Sequence, residues 1–257
     1  DEQATVGSAP GLTHGIALQS GYLYASSDTT VYRWRLPEGS RVGESREVVI
    51  HSMNADGNGG APRGHWTRTL VFDDAGRLYV SIGSAGNIDT SSYRSRIRRF
   101  QIPEPLPAGG VDFTTGEVFM DGLRNEVGLA FDSAGVLWGV ENSADRLVRT
   151  DLGGDIHNDN PAEELNRFPE SNVGKSYGYP WCWTEYKLPS NIGNGPGTIW
   201  AWPSTVNDGI HSDAWCRENS VPPALAMQAH WAPLGVTFYR GAEGACNVSD
   251  EQLPSDW

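Results

Sequence analysis

At 257 residues the chain is long enough to bury a sizeable core in one or two domains. Its formal net charge of −13 leaves nothing to neutralise a phosphate backbone, which argues against nucleic acid as a partner. No apolar run approaches the roughly 18 residues of a membrane span, and 31 Gly, 16 Pro and 10 Trp with only 20% charged residues describe a β-rich protein.

The chain opens DEQATVGSAPGL, without the charged-then-apolar segment of a secretory leader. The repeats that follow lead us to expect that it begins inside a longer, secreted protein. The first strand pair is predicted in THGIALQSGYLYAS, from Thr13. A second pair follows in TRTLVFDDAGRLYVSIG, from Thr67, and a third in EVGLAFDSAGVLWGVEN, from Glu126. The fourth start is APLGVTFYRGAEGA, from Ala232. Each has a four-residue apolar strand core, at 15–18, 69–72, 128–131 and 235–238. The turns DDAG and DSAG carry the Asp and Gly of a short antiparallel connection. The run after each turn alternates apolar with polar, as a half-buried strand does.

The cores step by 54, 59 and then 107 residues. Repeats of about 40 to 50 residues with four strands each are the pattern of a β-propeller. The expected fold is therefore all-β, a six-bladed β-propeller of which this chain, residues 1–257, covers part as one domain. The long last step places an acidic, Pro- and Trp-rich insertion at 151–231, and no segment shows helical periodicity over two turns.

The first strand of each propeller blade lines the central channel, so residues just before it converge at one end of the axis. Here they are His14, His65, the pair Arg124-Asn125, and His230. Four repeats aiming polar groups at one point predict a binding or catalytic site. Further on, GVENSADRL and DLGGDIHNDNPAEELN are dense in Asp, Asn and Glu. Oxygen ligands at that density suit a hard cation such as Ca²⁺, but the spacing of an EF-hand loop is missing and a solvated acidic loop explains them equally well.

Cys182 and Cys216 bracket the Trp-rich stretch and can staple it; Cys246 sits beside a glycosylation sequon, Asn247-Val248-Ser249. A partner for Cys246 outside this stretch, or three reduced core thiols, are both open. The secreted reading makes a glycoprotein the expectation.

Taken in order, HWTRTLVFDDAGRLYVSIGSAGN, GLRNEVGLAFDSAGVLWGVENSADRL and NVGKSYGYPW resemble the soluble PQQ-dependent sugar dehydrogenases. GYLYASSDTTVYRW and AHWAPLGVTFY resemble their fungal branch, the pyranose dehydrogenases. The resemblance implies a six-bladed propeller holding pyrroloquinoline quinone (PQQ) over the channel with a Ca²⁺ beside it. It implies His65 as the base that takes the proton of a pyranose C1 hydroxyl while hydride leaves C1 for the quinone. Arg124 and Asn125 then face the quinone oxygens, the guanidinium stabilising charge on the reduced cofactor. The Ca²⁺ falls on two backbone carbonyls, those of Ser143 and Ala144, and acts as a Lewis acid. His14 and His230 become cofactor or substrate contacts. Glu164 and the Tyr177 carbonyl fall where bacterial relatives hold a structural Ca²⁺.

Departures from the bacterial pattern are Gly64, where those enzymes carry an Asp, and Ser84, where they carry an acid near the sugar; glucose specificity does not follow. The family's later Lys and Arg cofactor contacts would lie beyond Trp257. Electrons would pass to a cytochrome domain or another redox partner. Two other functions fit less of the sequence. A Ca²⁺-dependent lactonase needs carboxylates in the channel, and a non-catalytic glycan- or protein-binding propeller would use tryptophans 181, 183, 200, 202 and 215, whose ordinary role is core packing.

Overall fold

The computed structural model describes residues 4–53 and 64–239. The first sheet is a four-strand antiparallel meander, β1 (Leu12–Gln19), β2 (Tyr22–Ser27), β3 (Val31–Arg35) and β4 (Glu44–His51). Ser20 and Gly21 join β1 to β2 with φ of 49° and 77°, the left-handed pair that a two-residue hairpin needs to match strand twist. The second sheet takes β5 (Leu70–Phe72), β6 (Leu78–Ile82), β7 (Arg96–Phe100) and, after the short β8 (Val111–Asp112) that pairs in parallel with β4, β9 (Glu117–Asp121).

The third sheet begins with β10 (Glu126–Phe131) and β11 (Leu137–Glu141). The chain then leaves for the small ribbon β12 (Val148–Arg149) and β13 (Gly154–Asp155) and returns as β14 (Glu163–Phe168). It leaves again for β15 (Cys182–Thr184), β16 (Ile199–Ala201) and the helix α1 (Asp213–Asn219), and closes the sheet with β17 (Leu225–Met227). Residues 151–231 therefore contain two strands of this sheet, and the excursion expected there is split into two. Its helix is too short to show a period in sequence; Ser212 caps it by accepting the Trp215 N–H at 3.1 Å.

The two Asp-Gly turns behave alike. Asp73 accepts the Arg77 N–H at 2.8 Å, and Asp132 accepts those of Ala134 and Val136, both at 2.9 Å. Gly76 and Gly135 supply φ of 78° and 73°. Each Asp also holds an aromatic of the next strand, the Tyr79 hydroxyl and the Trp138 indole.

The cores lie between successive sheets. Val31, Ile50, Leu70, Leu78 and Val80 pack between the first and second. Tyr79, Ile97, Phe119, Leu137 and Phe168 pack between the second and third. This face-to-face stacking of four-stranded meanders is the blade arrangement expected, though the row of described sheets is not closed. The fourth start differs: residues 232–239 form no strand. They still run beside β10, where a Cβ added to Gly128 would lie 2.6 Å from the Gly235 Cα and the Trp138 and Phe238 rings are 5.9 Å apart.

Cys182 and Cys216 form a disulfide; Cys246 and the sequon lie outside the described residues. Among the described residues no helix is long and apolar enough to cross a membrane.

Candidate functional site at the strand mouths

Side chains tie the first strands of the three sheets together at one end. Ser26 Oγ accepts the Gly15 N–H at 3.0 Å and donates to the Arg68 carbonyl at 2.8 Å. Thr69 Oγ1 donates to the Val127 carbonyl. The buried Arg68 guanidinium donates to the carbonyls of His65 and Thr67, both at 2.8 Å, and fixes the loop that carries His65.

His65 Nδ1 lies 3.1 Å from the Ser84 carbonyl and 3.0 Å from Ser84 Oγ. A carbonyl only accepts, and Ser84 Oγ already donates to the Gly86 carbonyl at 2.6 Å. The proton is thereby assigned to Nδ1, and Nε2 keeps its lone pair. Burial, and after it the Arg124 charge, push the imidazole down to about 4, so it is neutral at neutral pH. Ser84 sets this tautomer. Gly64 has a steric reason as well: a Cβ there would lie 2.5 Å from the Ala85 carbonyl oxygen, leaving no room for an aspartate. A Cβ on Gly83 would meet Asn125 Oδ1 and His65 Cβ, each at 2.6 Å, so a glycine is what lets those two side chains approach.

Arg124 is buried and fully engaged. Nε donates to the Asn87 carbonyl and Nη2 to Asn87 Oδ1, each at 3.2 Å; Nη1 donates to the Asn142 carbonyl at 3.1 Å and to that of Ser143. Asp145 Oδ2 is 3.5 Å away. Asn87 was visible only as the end of SIGSAGN, yet it organises this corner, also bonding the Asp145 backbone N–H and carbonyl at 2.7 Å. His65, Asn87, Arg124, Asp145 and Arg146 line a cavity of about 390 Å³, within the range of small-molecule sites.

The mouth residues do not all converge. His65, Arg124 and Asn125 do. Among the described residues His230 meets the group through Asp145, 3.7 Å from its Nδ1, while its Nε2 donates to the His157 carbonyl at 2.6 Å. His14 is exposed, and no hydrogen bond or ion pair among the described residues joins it to His65 or Arg124. It sits on β1 beside a register shift between Leu12 and Ile16, which alternation in sequence does not reveal.

Oxygen ligands for a hard cation are at hand. The carbonyls of Asn87, Asn142 and Ser143 surround one guanidinium, and the Ser143 peptide is anchored by its N–H to Glu163 Oε2 at 2.7 Å. Ala144 is buried next to it. The donor set fits Ca²⁺, on the condition that Arg124 shares or releases the Ser143 carbonyl.

Behind Arg124 the ladder lines up three glutamates. Glu126 pairs with Glu141 across β10 and β11, and Glu141 with Glu164 across β11 and β14; all three are buried. Like charges opposite one another oppose sheet formation. Neither Glu126 oxygen, nor Asn166 Oδ1, has a hydrogen-bond partner among the described residues. Burial and then the neighbouring Glu164 charge push Glu126 and Glu141 well above the carboxylate range, and burial pushes Glu164 up to about 7. Glu141 Oε1 accepts the Arg124 N–H at 2.6 Å. Glu141, Glu164, Ser143, Ala144 and Tyr177 border a narrow space of about 20 Å³, the size of one small ion or water. Among the described residues no three His, Cys, Asp or Glu side chains form a metal cage, so a cation here would depend on carbonyls as well as on Glu164.

Successive four-stranded sheets with a histidine, an arginine and an asparagine gathered where their first strands begin define a propeller-type protein with a polar site at the strand mouths. The family model described as TrAA12-like matches residues 1–249, and the chain belongs to that family. It is 34% identical over 248 residues to the pyrroloquinoline quinone-dependent pyranose dehydrogenase of Coprinopsis cinerea, covering 90% of this chain and 32% of that protein. It is 34% identical over 256 residues to the pyrroloquinoline quinone-dependent sugar dehydrogenase of Hypocrea jecorina, covering 91% and 57%. Among solved structures it matches the calcium structure of the Trichoderma reesei family AA12 enzyme with a TM-score of 0.81 at 33% identity, over 91% of this chain and 60% of that one. The holo PQQ domain of the Coprinopsis cinerea pyranose dehydrogenase matches with a TM-score of 0.81 at 31% identity, over 94% and 60%. The chain thus spans between about a third and three-fifths of the proteins it matches.

Proposed function

We propose that this chain is part of a secreted, fungal-type PQQ-dependent sugar dehydrogenase that oxidises the C1 hydroxyl of a pyranose. The observation that carries the proposal is His65: a neutral imidazole with Nδ1–H pinned to Ser84 and an Nε2 whose lone pair is free to accept a proton, in a ligand-sized cavity beside Arg124. PQQ, held with Ca²⁺, would supply the acceptor for the hydride that leaves C1 and would hand its electrons to a haem domain or another acceptor. His65 Nε2 takes the hydroxyl proton, so C1 becomes a carbonyl and both electrons leave with the hydride. Arg124 and Asn125 would hold the cofactor, the guanidinium offering charge where the reduced quinone becomes anionic. Ser143 and Ala144 would give the Ca²⁺ their carbonyls, and Glu164 with Tyr177 a structural Ca²⁺. His230 is adjacent to this group through Asp145; His14 is not.

A six-bladed closure accounts for apolar surface at both ends of the row of sheets. Ile16 and Leu18 on β1 are 68% and 67% exposed, and Leu234 and Tyr239 at the other end 70% and 90%. A further blade on each side would cover them. The lactonase reading has less support, because among the described residues the cavity at the strand mouths is lined by His65, Asn87, Arg124 and Arg146 with Asp145 as its one carboxylate.

The test is His65→Ala in the protein loaded with PQQ and Ca²⁺. Sugar-dependent bleaching of the bound quinone is lost while the fold persists; retained turnover removes His65 from the base role.

A further inference from the structure

The loop that holds Arg124 has a second side. Asn87 faces the guanidinium, but two residues on, Asp89 accepts the N–H groups of Ala85 and Ser91 at 2.8 and 3.0 Å and lines a separate cavity of about 290 Å³. Two tryptophans, Trp181 and Trp215, line the same cavity. Of the five tryptophans in this stretch, 183, 200 and 202 are buried in its core, while these two stay half-buried. They are held as a unit. The His211 ring stacks on Trp181 at 4.6 Å with an interplanar angle of 9°, and meets Trp215 edge-on at 4.6 Å. His211 is itself fixed by Asp208 Oδ2 at 2.6 Å. Each tryptophan directly precedes a cysteine of the Cys182–Cys216 disulfide, which ties the two chain segments together.

The remaining lining is polar but neutral in sum. Asp89 pairs with the buried Arg94 at 2.6 Å, and Asp121 with Arg96 at 3.1 Å, so neither an anion nor a cation gains from entering. Ser95 lies against the same cavity in a left-handed conformation, φ 62°, which a non-glycine residue adopts at a cost. Ser95 is 3% exposed, and its Oγ has no hydrogen-bond partner among the described residues. A buried hydroxyl left without a partner is destabilising, and this one, which has no accessible surface, meets a ligand only by rotating towards the cavity.

We infer that this cavity is a saccharide subsite, separate from the cavity at His65 and taking a neutral sugar of one or two rings. An uncharged pyranose has an apolar C–H face for an indole and a rim of hydroxyls for the Arg96–Asp121 pair and Ser95. A nucleotide or an acidic peptide would bring net charge to a lining that balances it nowhere. The pocket needs neither quinone nor Ca²⁺, so it stands apart from the redox reading.

The experiment is NMR of the protein labelled at the tryptophan indoles, without PQQ, titrated with cellobiose, mannobiose and methyl glucoside. The expected result is saturable shifts at Trp181 and Trp215 with at least one of the three. Trp215→Ala should weaken that binding roughly tenfold, the loss of one stacked ring, and Ser95→Ala should weaken it less. His65→Ala should bind unchanged, which separates this subsite from the proposed catalytic cavity. Absence of shifts at both tryptophans with all three sugars overturns the inference, as does binding that His65→Ala abolishes. If Trp215→Ala fails to fold, the wild-type shifts decide alone.

Discussion

His65 is neutral by virtue of its surroundings, and that has a measurable cost. The imidazole falls from 6.5 in the unfolded chain to about 4 in the native one. Below pH 6.5 the unfolded chain therefore binds a proton that the folded chain refuses, and stability is lost as pH falls towards 4. At pH 5 the unfolded imidazole is almost wholly charged and the native one almost wholly neutral, a difference of about 2 kcal/mol relative to pH 7.5. Replacement by a side chain that does not titrate removes this slope. Urea unfolding of the wild type and of His65→Gln, at pH 7.5 and pH 5, gives the comparison. The gap between the two proteins should move by about 2 kcal/mol in favour of the variant at pH 5. Carboxylates shared by both cancel in the difference. Parallel pH profiles would refute the assignment of His65 as a buried neutral base, and with it the tautomer set by Ser84. Binding of PQQ, an anion at this pH, should raise the His65 pKa by offsetting Arg124.

Two substitutions test the surroundings of the site. Glu126→Gln removes a buried carboxyl for which the described residues offer no hydrogen bond of good geometry, and it supplies donors to a cluster of oxygens. Because burial raises these glutamates, stability should fall as pH rises above the ordinary carboxylate range. The variant should flatten that fall and, in EDTA at pH 8, unfold about 1–3 kcal/mol later by urea titration; a loss of stability would show that the carboxylate has a partner. Gly64→Asp places a Cβ against the Ala85 backbone and should cost about 1–3 kcal/mol, with thermal unfolding as the check. An unchanged Tm would mean the loop gives way and that sterics do not explain Gly64.

The strands and turns were legible because their signals are local. Alternation, the Asp and Gly of DDAG and DSAG, and the spacing of the repeats marked four strand starts, of which three open sheets, and set His65 and Arg124-Asn125 at equivalent positions. What the sequence could not say depends on which residues meet across strands. β14 and β17 lie inside a stretch that looks like a single excursion, because a strand's membership of a sheet is fixed by distant partners. The glutamate row exists only through register: a slip of one residue would turn those side chains to the other face. Residues 235–238 carry a strand's apolar pattern but lie beside β10 without a ladder. Asn87 looked like one more polar loop residue until the fold brought it to Arg124. Likewise nothing in the spacing of the five tryptophans separates the three in the core from the two at a cavity. Local chemistry determined the elements and the residue types at their ends. Burial, register and the approach of distant loops are properties of the packed chain, and they decided which of those residues form a site.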